Sequence, residues 1–319
     1  MKKSLLALAA LTAFAGVASA QSSVTLFGIV DLNARSTKTG SSTVKSLSQD
    51  GNASSRLGFR GVEDLGGGMR AGFWIEGAIN PDTGTPGGQS WQRRSTVSLM
   101  GGFGEVRLGR DYTPSFWNYT VFDPFGTNGV ASMAQVVNGS LGSGATTFVR
   151  ANNTIGYFLP AMGGLYGQVQ VAAGENVTGN KYIGARLGYA GGPVNVAGAF
   201  GKTYRTGTMV DDYTDMNVGA SFKLSFMTLM GQYSKRDYST LDQTTYLIGA
   251  LVPIGSGTFK ASYAKSDGST VANDATLIGL GYVYDLSKRT AVYAQFAKAD
   301  RTGSANDVTA YEFGVRHSF

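Results

Sequence analysis

From residue 23 onward, apolar and polar positions alternate along the chain with a period of two, and helical periods are nearly absent. Sixteen runs have this character, each near the length a tilted strand needs to cross a bilayer. They lie at 23–33, 53–63, 68–80, 91–100, 103–112, 147–159, 164–173, 180–190, 193–203, 213–224, 226–237, 243–253, 256–266, 274–285, 289–299 and 308–319. The connections alternate in length. Short turns occur at Asp64-Leu65-Gly66-Gly67, Gly101-Gly102, Met162-Gly163, Gly191-Gly192, around Ser225, Ile254-Gly255 and Leu286-Ser287. Mostly longer polar stretches separate them, at 34–52, 81–90, 113–146, 174–179, 204–212, 238–242, 267–273 and 300–307. An even strand count, short turns on one side and long loops on the other predict an all-β antiparallel transmembrane barrel.

The two ends agree with that reading. Lys2 and Lys3 precede an apolar run from Leu5 to Val17 and then Ala18-Ser19-Ala20, the pattern of a cleaved signal peptide over 1–20. The barrel domain is then expected over 21–319. At the other end Tyr311, Phe313, Val315 and Phe319 share one face of the last strand, where an aromatic belt gives the final ring a place. Downstream of the leader no apolar stretch approaches the roughly 20 residues of a spanning helix.

Composition narrows the picture. Cysteine is absent, so the predicted exported fold carries no disulfide and depends on a closed hydrogen-bonded structure. Glycine (46), tyrosine (16) and phenylalanine (17) against 7 prolines suit bending barrel walls and membrane interfaces better than a sandwich core. Lys+Arg number 27 against 21 Asp+Glu. Without Lys2 and Lys3 the count is 25 against 21, a net charge of +4. Such a balance, in an exported protein, argues against nucleic acid as a partner.

Segment 113–146 stands apart. It opens Thr113-Pro114-Ser115-Phe116-Trp117, has no strand period, and contains Asp123-Pro124-Phe125-Gly126, a tight-turn sequence. Long aperiodic segments in compact proteins are usually functional. Two readings stand: an ordinary exposed loop, or a loop folded into the barrel that narrows its lumen.

Four blocks carry a resemblance. They are Gln21-Ser22-Ser23-Val24-Thr25-Leu26-Phe27-Gly28-Ile29-Val30-Asp31, the stretch from Ser54 to Gly68, Gly104-Glu105-Val106-Arg107-Leu108-Gly109-Arg110, and the closing Gly314-Val315-Arg316-His317-Ser318-Phe319. Spanning the chain, they resemble the β-proteobacterial general porins of the neisserial and Bordetella type. The resemblance implies an outer-membrane barrel of sixteen strands, a homotrimer, and a third extracellular loop folded into the lumen. It further implies passive diffusion of small hydrophilic solutes with a preference for anions, in contact with outer-membrane lipid and lipopolysaccharide. The family's loop signature is Pro-Glu-Phe-Gly; here Asp123-Pro124-Phe125-Gly126 departs from it in the first two positions.

Strand parity assigns charges to the lumen. Leu57 and Phe59 face lipid, so Arg56 and Arg60 point inward. Val97 and Leu99 turn Arg94 inward and leave Arg93 outward. Val106 and Leu108 put Glu105 and Arg107 inside, and Ile155, Tyr157 and Leu159 do the same for Arg150, Asn152 and Thr154. Arg186, Lys260, Arg316, Glu76 and Glu312 also take inward parity. An arginine facing lipid at the midplane costs about 2–4 kcal/mol, which supports this register. In the resembling family, arginines on these strands form a basic ladder. Arg56, Arg94 and Arg150 match it by strand, with Arg60 and Arg107 as substitutes. Asp123, or Asp111 before the loop, is the expected acidic counterpart. Such a lining prefers anions.

The residues weigh against catalysis. The lone histidine, His317, sits on outward parity, no Gly-x-Ser-x-Gly occurs, and the chain lacks the Cys or His cluster of a zinc site. No cofactor or metal is expected. A solute-specific channel, with Trp74 and Trp117 as its rings, and a plugged structural or adhesive barrel remain the alternatives.

Overall fold

The computed structural model describes residues 23–85, 90–137, 141–204, 211–269, 274–303 and 306–319. The expected signal peptide lies outside them. Among the described residues, seventeen strands follow one another: β1 (Ser23–Thr39), β2 (Ser42–Gln49), β3 (Arg56–Gly66), β4 (Met69–Ala78), β5 (Arg94–Gly101), β6 (Gly104–Tyr112), β7 (Arg150–Phe158), β8 (Leu165–Ala172) and β9 (Tyr182–Gly191), then β10 (Val194–Thr203), β11 (Tyr213–Lys223), β12 (Thr228–Tyr238), β13 (Leu241–Ile254), β14 (Gly257–Gly268), β15 (Ala275–Asp285), β16 (Thr290–Arg301) and β17 (Val308–Ser318). All the pairings are antiparallel, and β1 closes the ring on β17, from Ile29↔Ser318 to Thr39↔Val308. Phe319 completes the seam: Gly28 N donates to its carbonyl at 3.1 Å, and its own N donates to the Gly28 carbonyl at 3.0 Å. Closure leaves no open seam in the ring of staves, while β2 pairs on one side only, along β1.

Seventeen strands make sixteen staves. β2 and β3 both pair with β1, the first from Leu32↔Gln49 to Thr39↔Ser42 and the second from Ser23↔Val62 to Ile29↔Arg56. They form one stave interrupted by an inset at residues 50–55. The sequence expectation of a loop over 34–52 is therefore corrected. That stretch is the tall end of the first stave and its hairpin return, rich in Ser, Thr and Lys and without an apolar parity to betray the strand.

Side chains alternate between the faces as expected. On β11 and β13 the outward Val218 and Ile248 are 54 % and 67 % exposed, while the inward Asn217 is 1 % exposed. A one-residue slip would exchange these faces.

One irregularity overturns a predicted orientation. Thr154 pairs with Gly109 and Ala151 with Asp111, so Asn152 and Asn153 stand opposite the single residue Arg110. Asn153 takes φ +55°, and this bulge resets the parity of β7. Ala151 and Thr154 are buried on the inner face, whereas Asn152 is exposed and accepts from Arg110 Nη1 at 2.5 Å. Asn152 is not a lumen residue.

Between β6 and β7 the chain forms helix α1 (Pro114–Val121). Thr113 caps it, accepting from Phe116 N, and Pro114 occupies the first turn, where a missing N–H costs nothing. A turn at Asp123–Gly126 follows, closed by Gly126 N donating to the Asp123 carbonyl at 2.9 Å, then a short 3₁₀ helix at Met133–Val136. This segment lies against inward positions of the wall. Asn118 Nδ2 donates to Asn217 Oδ1 at 2.7 Å, Asn217 Nδ2 donates to the Ser115 carbonyl at 3.0 Å, and Gln232 Nε2 donates to the carbonyls of Asn118 and Tyr119. Wall glycines make room for it. A Cβ on Gly219 would stand 2.2 Å from Phe122, and one on Gly249 would stand 2.4 Å from Pro124. Tyr119, Phe125 and Met133 thereby form a core inside the barrel.

Candidate functional site

Where α1 approaches the wall of β3 to β9, the inner face surrounds a chamber of about 480 Å³. Arg56, Arg94, Arg107 and Arg186 line it, and Arg60 lines the contiguous space below. Strand alternation places them together. Glu76↔Arg94 and Ser98↔Arg107 are register pairs, so inward side chains of adjacent staves meet edge to edge.

Three carboxylates share this wall: Glu76, Glu105 and Asp111. Glu76 Oε1 accepts from Arg93 Nε at 2.6 Å and lies 3.5 Å from Arg56 Nη1. Glu105 accepts from Arg107 Nε at 2.8 Å, and Asp111 accepts from Arg107 Nη1 at 2.6 Å and stands 3.8 Å from Arg94. Glu76 and Asp111 each meet two arginines and Glu105 shares Arg107 with Asp111, so the four arginines Arg56, Arg93, Arg94 and Arg107 exceed the three carboxylates by one.

The remaining arginines are held by neutral groups. Arg186 Nε donates to Asn118 Oδ1 at 2.8 Å and its Nη2 to the Tyr166 hydroxyl at 3.4 Å. Arg60 lies over the rings of Phe27 and Trp74, 5.3 and 5.1 Å from their centroids. Arg150 Nε donates to the Arg93 carbonyl at 2.7 Å, its Nη2 to the Tyr112 hydroxyl at 2.6 Å, and its guanidinium covers the Tyr112 ring. Rings and carbonyls orient a guanidinium while leaving its charge uncompensated.

The sequence-predicted residues fall into three groups. Arg56, Arg60, Arg94 and Arg107 come together with Asp111. Arg150 stands at the foot of the loop, joined to the cluster through Tyr112 and Arg93 and absent from the chamber lining. Asp123 is elsewhere: it is 3 % exposed and folded into its own turn. Phe125 N, Met133 N and Ser132 Oγ donate to its carboxylate at 2.8, 3.0 and 3.1 Å. Burial pushes its pKa up, and those three hydrogen bonds pull it back. The expectation that Asp123 faces the arginines is therefore corrected. A carboxylate offered three donors at a turn stays there.

Arg93 was misassigned by parity. It precedes β5, where alternation no longer applies, and its side chain turns to Glu76 and to the Tyr112 hydroxyl at 3.2 Å. Sequence reasoning also left the inward Arg186 out of the ladder. Asn118, a polar residue on the buried side of α1, was the available signal for its partner.

A closed sixteen-stave barrel with a folded segment against its inner wall narrows the possible relatives, and comparison with known proteins decides among them. The Gram-negative porin family matches residues 7–317. The chain is a Gram-negative porin. Outer membrane porin protein 32 of Delftia acidovorans is 38 % identical to it, with 100 % of both chains covered. Major outer membrane protein P.IB of Neisseria meningitidis serogroup B is 27 % identical, again over 100 % of both. The solved anion-selective porin from Comamonas acidovorans is 35 % identical and superposes with a TM-score of 0.87, covering 94 % of this chain and 100 % of that one. This porin is accordingly an outer-membrane protein that crosses the bilayer with strands, and its function is diffusion through the barrel.

Proposed function

We propose that the porin is a general diffusion channel for small hydrophilic solutes, with a preference for anions set where α1 faces β3 to β9. One observation carries this reading. Arg60, Arg150 and Arg186 are held by rings, carbonyls and hydroxyls, so their charges add to a wall whose carboxylates are already matched by Arg56, Arg93, Arg94 and Arg107. The loop offsets none of this excess, because Asp123 is its sole acidic residue and is withdrawn. Fixed cations in a narrow wet passage raise the local concentration of anions and lower that of cations. The anion selectivity of the Comamonas acidovorans porin supports the same assignment.

The segment over 113–146 is the constriction in this reading, and residues 1–20 are the export signal removed from the barrel domain at 21–319. Assembly as a homotrimer in contact with lipopolysaccharide belongs to the same reading, on the strength of the family. Chemistry is not part of it: His317, on outward parity, pairs through Nδ1 with the Thr290 hydroxyl at 2.9 Å.

The test is zero-current potential across a planar bilayer holding the purified porin in a potassium chloride gradient. A potential of the sign set by chloride flux is expected. A potential set by potassium flux would overturn the charge assignment, and folded protein without conductance would overturn the open channel.

A further inference from the structure

Charge is not the chamber's whole chemistry; its wall is also ringed. Arg94 lies 4.5 Å from the Trp74 centroid, Arg107 3.9 Å from that of Phe158, and Arg186 4.8 Å from that of Tyr166. Trp117 is different. It lines the same chamber, touches Tyr112 at 5.6 Å between centroids with the planes tilted by 39°, and still leaves 43 % of its surface exposed. Pro114, Ser115, Asn118 and Tyr119 are the buried side of α1, so Trp117 stands on the wet side. An indole left open to a water-filled lumen in the same chamber as Arg186, whose charge is uncompensated, is not explained by packing, since Phe116 already stacks on Tyr112 at 5.5 Å.

We propose that the chamber selects aromatic carboxylates among small organic anions. The carboxylate pairs with Arg186, whose partners are neutral, and the ring stacks on Trp117. A guanidinium binds carboxylate through its N–H edge, which stacking on a ring leaves free, so ring and anion are recognised by different surfaces. The match is one of shape as well as charge: a flat anion presents its face to the indole while its charge reaches the wall. This inference rests on the anion-preferring channel proposed above.

Benzoate and cyclohexanecarboxylate separate the two ideas, having the same charge and nearly the same size while only benzoate is aromatic. Each is titrated against chloride conductance of the full-length porin in planar bilayers, and the half-blocking concentration is read. Stacking predicts that benzoate acts at a concentration about five-fold lower. General hydrophobicity would reverse that order, because the saturated ring is the more apolar, and equality or reversal overturns the proposal. Trp117→Leu should bring the ratio close to one, and Trp117→Phe should restore part of it. A ratio unchanged in Trp117→Leu also overturns the assignment. The potassium chloride gradient measured on the same wild-type channels reports the underlying reading by itself. A potassium-set potential there would remove the basis for both proposals, whereas a chloride-set potential with no benzoate discrimination would remove only this one.

Discussion

The Tyr293 hydroxyl on β16 donates to the Asp31 carboxylate on β1, reaching across β17 on the inner face of the seam. Asp31 is fully buried and also accepts from the backbone N–H groups of Gly51, Asn52 and Ala53 at 3.2, 3.0 and 2.9 Å. These are residues of the inset that splits the second stave. The inset in turn holds the tip of the loop. Gly129 N donates to the Asp50 carbonyl at 3.0 Å and Ser54 Oγ to Asn128 Oδ1 at 2.9 Å, while Gln295 Nε2 on β16 ties the inset to the wall through the Gly51 carbonyl at 2.8 Å. Asp31 thus fixes the far end of the loop between β6 and β7 from the seam of the barrel.

Asp31→Asn keeps the side-chain volume and puts a donor where acceptors are needed. Hydrogen bonds to a buried charge are worth about 1.5–3 kcal/mol each, so the change should cost about 3 kcal/mol even with partial repair. The expected outcome is a lower heat-denaturation temperature, with open-channel current noise rising as the loop tip loses its clasp. Tyr293→Phe, which removes one bond of the set, should cost about 1.5–3 kcal/mol. Equal stability of Asp31→Asn and wild type would show that the inset is held by its strands alone.

Anion preference should fall whenever a wall arginine loses its charge, whether its partners are neutral or acidic. Arg186→Gln removes a charge whose partners are neutral, while Arg107→Gln frees Glu105 and Asp111 as it removes a cation. In a potassium chloride gradient at 0.1 M, where the Debye length is about 10 Å, Arg56→Ala with Arg94→Ala and Arg186→Gln should each move the zero-current potential toward zero. The shift should shrink at 1 M salt, where the screening length is about 3 Å. An anion preference left intact by the double variant would remove Arg56 and Arg94 from the selectivity wall.

Glu76 has the opposite sign. Its carboxylate joins Arg56 and Arg93 and accepts from Trp74 Nε1 at 3.1 Å. Glu76→Gln should strengthen anion preference by releasing two cations, and should lower stability by about 2–3 kcal/mol because buried arginines lose their charged acceptor. A weaker anion preference in this variant would mean that the freed guanidiniums leave the passage.

Much of this architecture was legible in the sequence for a simple reason. Strands that separate lipid from water must alternate, and an arginine at Arg56 or Arg94 cannot face hydrocarbon cheaply. Where the bilayer stops, the signal stops: the hairpin of Thr39 and Ser42 rises beyond the apolar band, so neither of its faces is written in hydrophobic residues. The bulge at Asn153 is a single backbone torsion that a parity count passes over, which is why Asn152 was turned the wrong way. Arg93 and Asp123 are cases of another kind. Their orientations depend on partners distant in sequence or on backbone donors of a turn, and neither kind of partner leaves a periodic trace.

The pH response of the loop follows from Asp123. Its pKa is raised by burial, so between the ordinary carboxylate value and the raised one the folded protein binds more protons than the unfolded chain. Stability from this group is then fully present below the ordinary value and is lost as pH rises through the raised value; ionisation at neutral pH costs the fold. Asp123→Asn carries no such titration. The wild type should therefore gain in denaturation temperature relative to Asp123→Asn as pH is lowered from 7.5 toward 4. A difference that is flat with pH, or that favours the wild type increasingly at high pH, would show that the hydrogen bonds from Phe125, Met133 and Ser132 outweigh desolvation and hold the carboxylate ionised at no net cost.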